Sequence, residues 1–217
     1  MKYRNAVLLI LIIIFLDQAI KIYIKTHLPY GVEGEVHVLG LNWFRLHFLE
    51  NEGMAFGMRL NDAPIGKIIL TLFRLVAVTF GFFLLKRLVV KQYSRGAIIC
   101  GALILAGALG NLIDSMFYGM IFTNSSYHSR EIAHFTAFGE GYGKFLQGKV
   151  VDMFYFPLFS GTLPKWMPFV GGNHFEFFEP VFNLADAAIS AGVLTLVFFQ
   201  KRLIHKKVLP ASEQAQA

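Results

Sequence analysis

Two motifs in this 217-residue sequence place a carboxylate where acid–base chemistry is possible: Val150-Val151-Asp152-Met153-Phe154 and Phe182-Asn183-Leu184-Ala185-Asp186. Two carboxylates held close in a poorly solvated site cannot both ionise, so they share a proton. The ionised one takes a proton from water as that water attacks a peptide carbonyl. The protonated one polarises the carbonyl and later protonates the leaving amine. Neither a metal nor a covalent nucleophile is needed, and no cofactor is expected. His-Glu-x-x-His, Gly-x-Ser-x-Gly and Walker motifs do not occur. His128, His134 and His174 match no ligand spacing and read as solvated loop residues, so no metal site is expected.

The elements that must position these acids are membrane spans. The chain is 55% hydrophobic and 16% charged, with a mean hydropathy of +0.54, whereas soluble domains carry about a quarter charged residues. Four runs reach the roughly 20 apolar residues a transmembrane helix needs: residues 6–24, 65–85, 97–118 and 181–199. No small-x-small cleavage site follows the first run, which is therefore expected to stay as an anchor. The net charge of +6 does not imply a nucleic-acid partner, because the cations cluster beside the spans. Lys2 and Arg4, then Lys86, Arg87, Lys91 and Arg95, then Lys201, Arg202, Lys206 and Lys207 all fall on one side, which marks it as cytoplasmic. The predicted fold is an all-α integral membrane protein, a four-transmembrane-helix bundle with both termini cytoplasmic, forming a single domain over residues 1–217.

Two long connections, 27–64 and 119–180, are expected outside. Val36–Leu39 and Trp43–Phe48 alternate in the first and predict a small extracytoplasmic β element, with glycines as turn points. The second is rich in glycine and aromatics, including Phe145, Trp166 and Phe169, a composition suited to the headgroup layer of membrane lipids. The polar tail 211–217 reads as disordered. Cys100 reads as a small apolar residue inside a span.

Charged and polar residues within spans are expensive and usually have a purpose. Asp17 has Lys21 four positions on, the spacing of an ion pair on one helical face. Asn183 precedes Asp186 by three positions, as Asn111 precedes Asp114. Ala102, Ala106, Gly110 and Asp114 form a ridge of small residues ending in an acid, which lets a neighbouring helix approach closely. Arg74, flanked by Phe73 and Leu75, is expected to be the bundle's main buried cation, a structural residue paired with Asp114 in preference to Asp17. Buried polar residues among four helices also describe a small transporter or proton-conducting protein, although no internal repeat supports that alternative.

Taken in order, the motifs resemble the lipoprotein signal peptidase (signal peptidase II) family. They are Asp17-Gln18 with Lys21, then Asn51-Glu52-Gly53-Met54-Ala55-Phe56, then Gly110-Asn111-Leu112-Ile113-Asp114, and finally the two carboxylate motifs. The resemblance implies an aspartic endopeptidase of the bacterial cytoplasmic (inner) membrane, its site facing outward. Such an enzyme cuts diacylglyceryl-modified prolipoproteins before the lipid-bearing cysteine and is the target of globomycin-type cyclic peptides. Asp152 and Asp186 would be catalytic, and Asn51, Gly53, Asn111 and Asn183 would bind substrate. Asp17, Lys21, Asp114, Ala55, Phe56 and Ala185 would support the site. Two departures stand out. Ser115 occupies the position where the family commonly has arginine, and residues 115–149 are an insertion that reads as a surface loop.

Overall fold

The computed structural model describes residues 1–31, 34–52, 64–126, 131–177 and 179–203. Four helices in it are long and apolar enough to cross a membrane. They are α1 (Tyr3–His27), α2 (Pro64–Val90), α3 (Arg95–Ile113) and α4 (Leu184–Leu203). The 25 residues of α1 extend about 37 Å at 1.5 Å per residue, enough for a hydrocarbon core of about 30 Å. Large apolar side chains stay uncovered along α1, α2 and α4, with Phe15 72%, Phe73 69% and Phe198 76% exposed. Leucine, isoleucine and phenylalanine left bare along helices of this length and hydropathy are suited to contact with lipid. The protein is therefore a multi-pass membrane protein.

The chain divides into two compact units. The first comprises Met1–Gln18, Thr71–Leu112 and Leu184–Ala217. Its most buried helix is α3, with Ala97, Ile98, Ala102 and Ala106 at 2% exposure or less. Small residues bring the helices together: on the predicted ridge a β-carbon on Gly110 would lie 3.3 Å from the Ala185 β-carbon, and a tighter approach is at Gly107, off that ridge. A β-carbon on Gly107 would sit 2.1 Å from the Ala185 carbonyl oxygen of α4, so only glycine permits this approach.

The second unit comprises Ala19–Leu70 and Ile113–Asn183. Its centre is an antiparallel sheet in the order β1 (Val36–His37), β2 (Arg45–Asn51), β3 (Val150–Tyr155). The β2–β3 register sets Leu49 opposite Asp152, Glu50 opposite Val151 and Asn51 opposite Val150. Ile24, Phe48, Tyr118, Phe122, Val151 and Met153 form the core beneath it. A separate hairpin pairs β4 (Phe159–Thr162) with β5 (His174–Phe177), and the Phe159 and Phe177 rings stack in parallel with centroids 4.5 Å apart.

Three features differ from the sequence expectation. The β element draws β3, the strand that carries Asp152, from the second long connection, so it is not confined to the first. Val150-Val151-Asp152-Met153-Phe154-Tyr155 is nearly all buried and shows no period-two alternation, so no strand pattern announces it. Helix α4 starts at Leu184, not at residue 181, because Phe182 is bridged to Phe154 by two backbone hydrogen bonds of 2.7 and 3.0 Å. The described part of residues 115–149 is a surface loop only in part, with most of 131–140 exposed. Its first part continues α3 as a π-turn (Asp114–Tyr118) and one helical turn (Gly119–Ile121), and Tyr118, Phe122 and Ala133 are buried. Serine and glycine in this segment signal turns, but Tyr118, Phe122 and Tyr142 pack into the core, while Phe135, Phe138 and Phe145 stay exposed.

Candidate active site

Asp152 lies on β3, only 4% exposed. Asn51 stands opposite Val150, a diagonal neighbour of Asp152 on the same face of the sheet. Its Nδ2 donates to Asp152 Oδ2. The bridge between Phe154 and Phe182 delivers the next residue, Asn183, whose Nδ2 donates to Asp152 Oδ1 at 2.6 Å. Asn183 is fully buried. Two amides from opposite sides thus fix both oxygens of one buried carboxylate.

Asp114, at the start of the π-turn and 0% exposed, supports this strand from below. Single π-turns inside helices often mark functional positions. Asp114 Oδ2 accepts from the Val151 N–H at 3.4 Å and pairs with Lys21 Nζ at 2.8 Å, both side chains wholly buried. The spacing in sequence pairs Lys21 with Asp17 and does not reveal this contact with Asp114. In the fold, Lys21 is a cation on Asp114, next to the backbone of the residue before Asp152.

In the first unit, Asp186 occupies the third position of α4, where a carboxylate is favoured by the helix dipole. It is half-buried, and Asn111 Nδ2 of α3 donates to its Oδ1 at 2.8 Å. Asp17 is 1% exposed and accepts from the Ala185 N–H at 2.9 Å, one of the orphan donors at the start of α4. Gln18 Nε2 donates to Asp17 at 3.2 Å and to the Gly110 carbonyl at 3.3 Å. Arg74 is half-buried on α2. Gly53, Ala55 and Phe56 lie outside the described residues, as do His128, Lys206, Lys207 and the tail.

Lys25, Glu50 and Ser125 were not singled out from sequence, yet they form a buried polar cluster next to Asn51. The readable signal was Lys25 one helical turn after Lys21, because like charges at that spacing repel unless each has its own acid. A cleft of about 420 Å³ on the sheet is lined by Glu35, Arg45, His47 and Tyr155. Burial there pushes the Glu35 carboxyl up, but hydrogen bonds from His47 at 3.1 Å and Arg45 at 2.8 Å outweigh it and hold Glu35 below its ordinary range.

Four apolar helices among the described residues, with one asparagine-held aspartate on β3 and another on α4, define an integral membrane protein equipped for carboxylate chemistry. The particular kind follows from comparison with known proteins. Residues 9–201 match the model of Peptidase A8, Signal peptidase (SPase) II. The chain is 46% identical over 208 residues to a lipoprotein signal peptidase of Porphyromonas gingivalis, covering 93% of this chain and 87% of that protein. It is 35% identical over 199 residues to the lipoprotein signal peptidase of Amoebophilus asiaticus, covering 91% and 78%. A bacterial membrane enzyme solved by the in meso method at 2.3 Å resolution shares the fold, with a TM-score of 0.55 at 22% identity over 95% of this chain and 96% of that one. The chain belongs to the signal peptidase II family and is a membrane protease of the aspartic type. The transporter alternative gives way to that assignment.

Proposed function

We propose that the chain works as one membrane peptidase domain that removes signal peptides from diacylglyceryl-modified prolipoproteins, cutting just before the lipid-bearing cysteine. Asp152 and Asp186 are the acid–base pair in this reading. Water attacks the scissile carbonyl as one aspartate takes its proton, and the other protonates the departing amine. The observation that carries the proposal is Asp152 itself, buried and bonded by amides at both oxygens. An amide donates without competing for the proton, so it orients a carboxylate while leaving it chemically available. Asn183, which grips Asp152, and the second acid Asp186 stand three positions apart in the same motif.

Substrate enters in place of some of these hydrogen bonds, with Asn51, Gly53, Asn111 and Asn183 offering donors and acceptors to its backbone. Asp17, Lys21, Asp114, Ala55, Phe56, Ala185 and Arg74 are structural in this account. The cation clusters support a topology with both termini in the cytoplasm and the acids facing outward from a bacterial cytoplasmic membrane. Globomycin-type cyclic peptides would compete at this site. The test is incubation of the purified protein with a lipid-modified prolipoprotein and with the same precursor lacking the lipid. Mass spectrometry should find one new end at the lipid-bearing cysteine and an intact unmodified precursor. Equal cutting of both precursors, or cutting elsewhere, would overturn the proposal.

A further inference from the structure

Lys25 is wholly buried near the end of α1, one turn beyond the equally buried Lys21. Its ammonium pairs with Glu50, whose side chain is 1% exposed, and donates to Ser125 Oγ at 3.0 Å. Three rings enclose it, with the centroids of Tyr142, Phe122 and Phe48 at 5.2, 5.3 and 5.7 Å. Lys149 Nζ stands 3.8 Å from the other oxygen of Glu50 and 5.3 Å from the Tyr142 centroid. The Lys149 backbone N–H donates to the Tyr142 hydroxyl at 2.7 Å. Burial pushes that hydroxyl well above its usual range, so it stays neutral.

Phe122, Ser125, Tyr142 and Lys149 all come from residues 115–149, the segment for which the family resemblance offers no role. Its return to the sheet is held by close backbone approach. A β-carbon on Gly148 would lie 2.0 Å from the Asp114 carbonyl oxygen, and the Gly148 N–H donates to the Ser115 carbonyl at 2.9 Å. What this enclosure touches is β2, since Glu50 directly precedes Asn51. Adjacent strand residues face opposite ways. Glu50 is therefore tied to Lys25 on one side, and Asn51 reaches Asp152 on the other.

We propose that Lys25 and Glu50 are positioning residues for the hydrolysis, enclosed by Phe122, Ser125, Tyr142 and Lys149, and that they act through Asn51 on the Asp152 carboxylate. Burying two charges is a poor way to gain stability compared with an apolar pair, and in some proteins buried polar groups instead serve to fix one arrangement. The inference rests on Asp152 being catalytic. Its test is a double-mutant cycle on cleavage of a lipid-modified prolipoprotein: wild type, Lys25→Met, Asn51→Ala and the double variant. Lys25→Met should lower kcat at least about tenfold with KM changed by less than about threefold. In the Asn51→Ala background the same change should cost less than about a further twofold, because its route is already cut. A purely structural role would scale activity equally in both backgrounds and follow the folded fraction seen in a thermal melt. Equal losses in both backgrounds, or full kcat in Lys25→Met, overturn the proposal while wild-type cleavage leaves the catalytic reading intact. A wild type that does not cleave takes both down. Should Lys25→Met not fold, the near-isosteric Glu50→Gln is read in the same two backgrounds. Should Asn51→Ala have no measurable turnover, a full kcat in well-folded Lys25→Met or Glu50→Gln is the overturning result and a tenfold loss the supporting one.

Discussion

Asparagine meets each proposed catalytic acid: Asn51 and Asn183 on Asp152, and Asn111 on Asp186. A hydrogen bond to a charged group contributes about 1.5–3 kcal/mol. Asn111→Ala should therefore lower kcat on the order of tenfold to a hundredfold, a loss read from initial rates on purified protein. A wild-type rate would show that Asp186 does not depend on that amide. Glu35 gives a separate, pH-dependent prediction. Its carboxyl is held below the ordinary range by His47 and Arg45 against the cost of burial, so its contribution to stability is complete above the unfolded value of about 4.3. That contribution is lost as pH falls through the lower folded value. Thermal melts in detergent should fall in that acid window for wild type, and the Glu35→Gln variant should fall less. Parallel curves would contradict the assignment.

At the scale of elements, the helices depend on small residues and the sheet on register. Gly107→Val places side-chain atoms where the Ala185 carbonyl now sits, so overpacking should cost at least about 1–3 kcal/mol. A thermal melt within a degree of wild type would mean that α3 and α4 do not need this approach. The four spans were legible because length and hydropathy are local properties. The small-residue ridge was legible for the same reason. Strand β3 was not, because Val150–Tyr155 is buried on both faces and lacks alternation. Asn51 and Asp152 were recognised as motif residues, but their hydrogen bond spans 101 positions and depends on the β2–β3 register, which no local pattern encodes. The same holds for Lys21, whose nearest acid in sequence is Asp17 while its 2.8 Å partner Asp114 lies on another helix.

For the molecule as a whole, direction in the membrane decides whether the acids meet exported substrate. A reporter active only outside the cytoplasm should be active when fused after Glu140 and inactive when fused after Lys207, following the cation clusters. The reverse pattern would put the aspartates in the wrong compartment. Family membership and membrane spans describe a membrane protease of the aspartic type, and the proposed mechanism needs both Asp152 and Asp186. The most direct test is turnover of a lipid-modified prolipoprotein by Asp152→Asn and Asp186→Asn, each close to isosteric and each unable to accept the proton from water. Both variants should melt as wild type does and release no product. A folded variant of either kind that still cleaves at a comparable rate would contradict the assignment of these two aspartates as the catalytic pair.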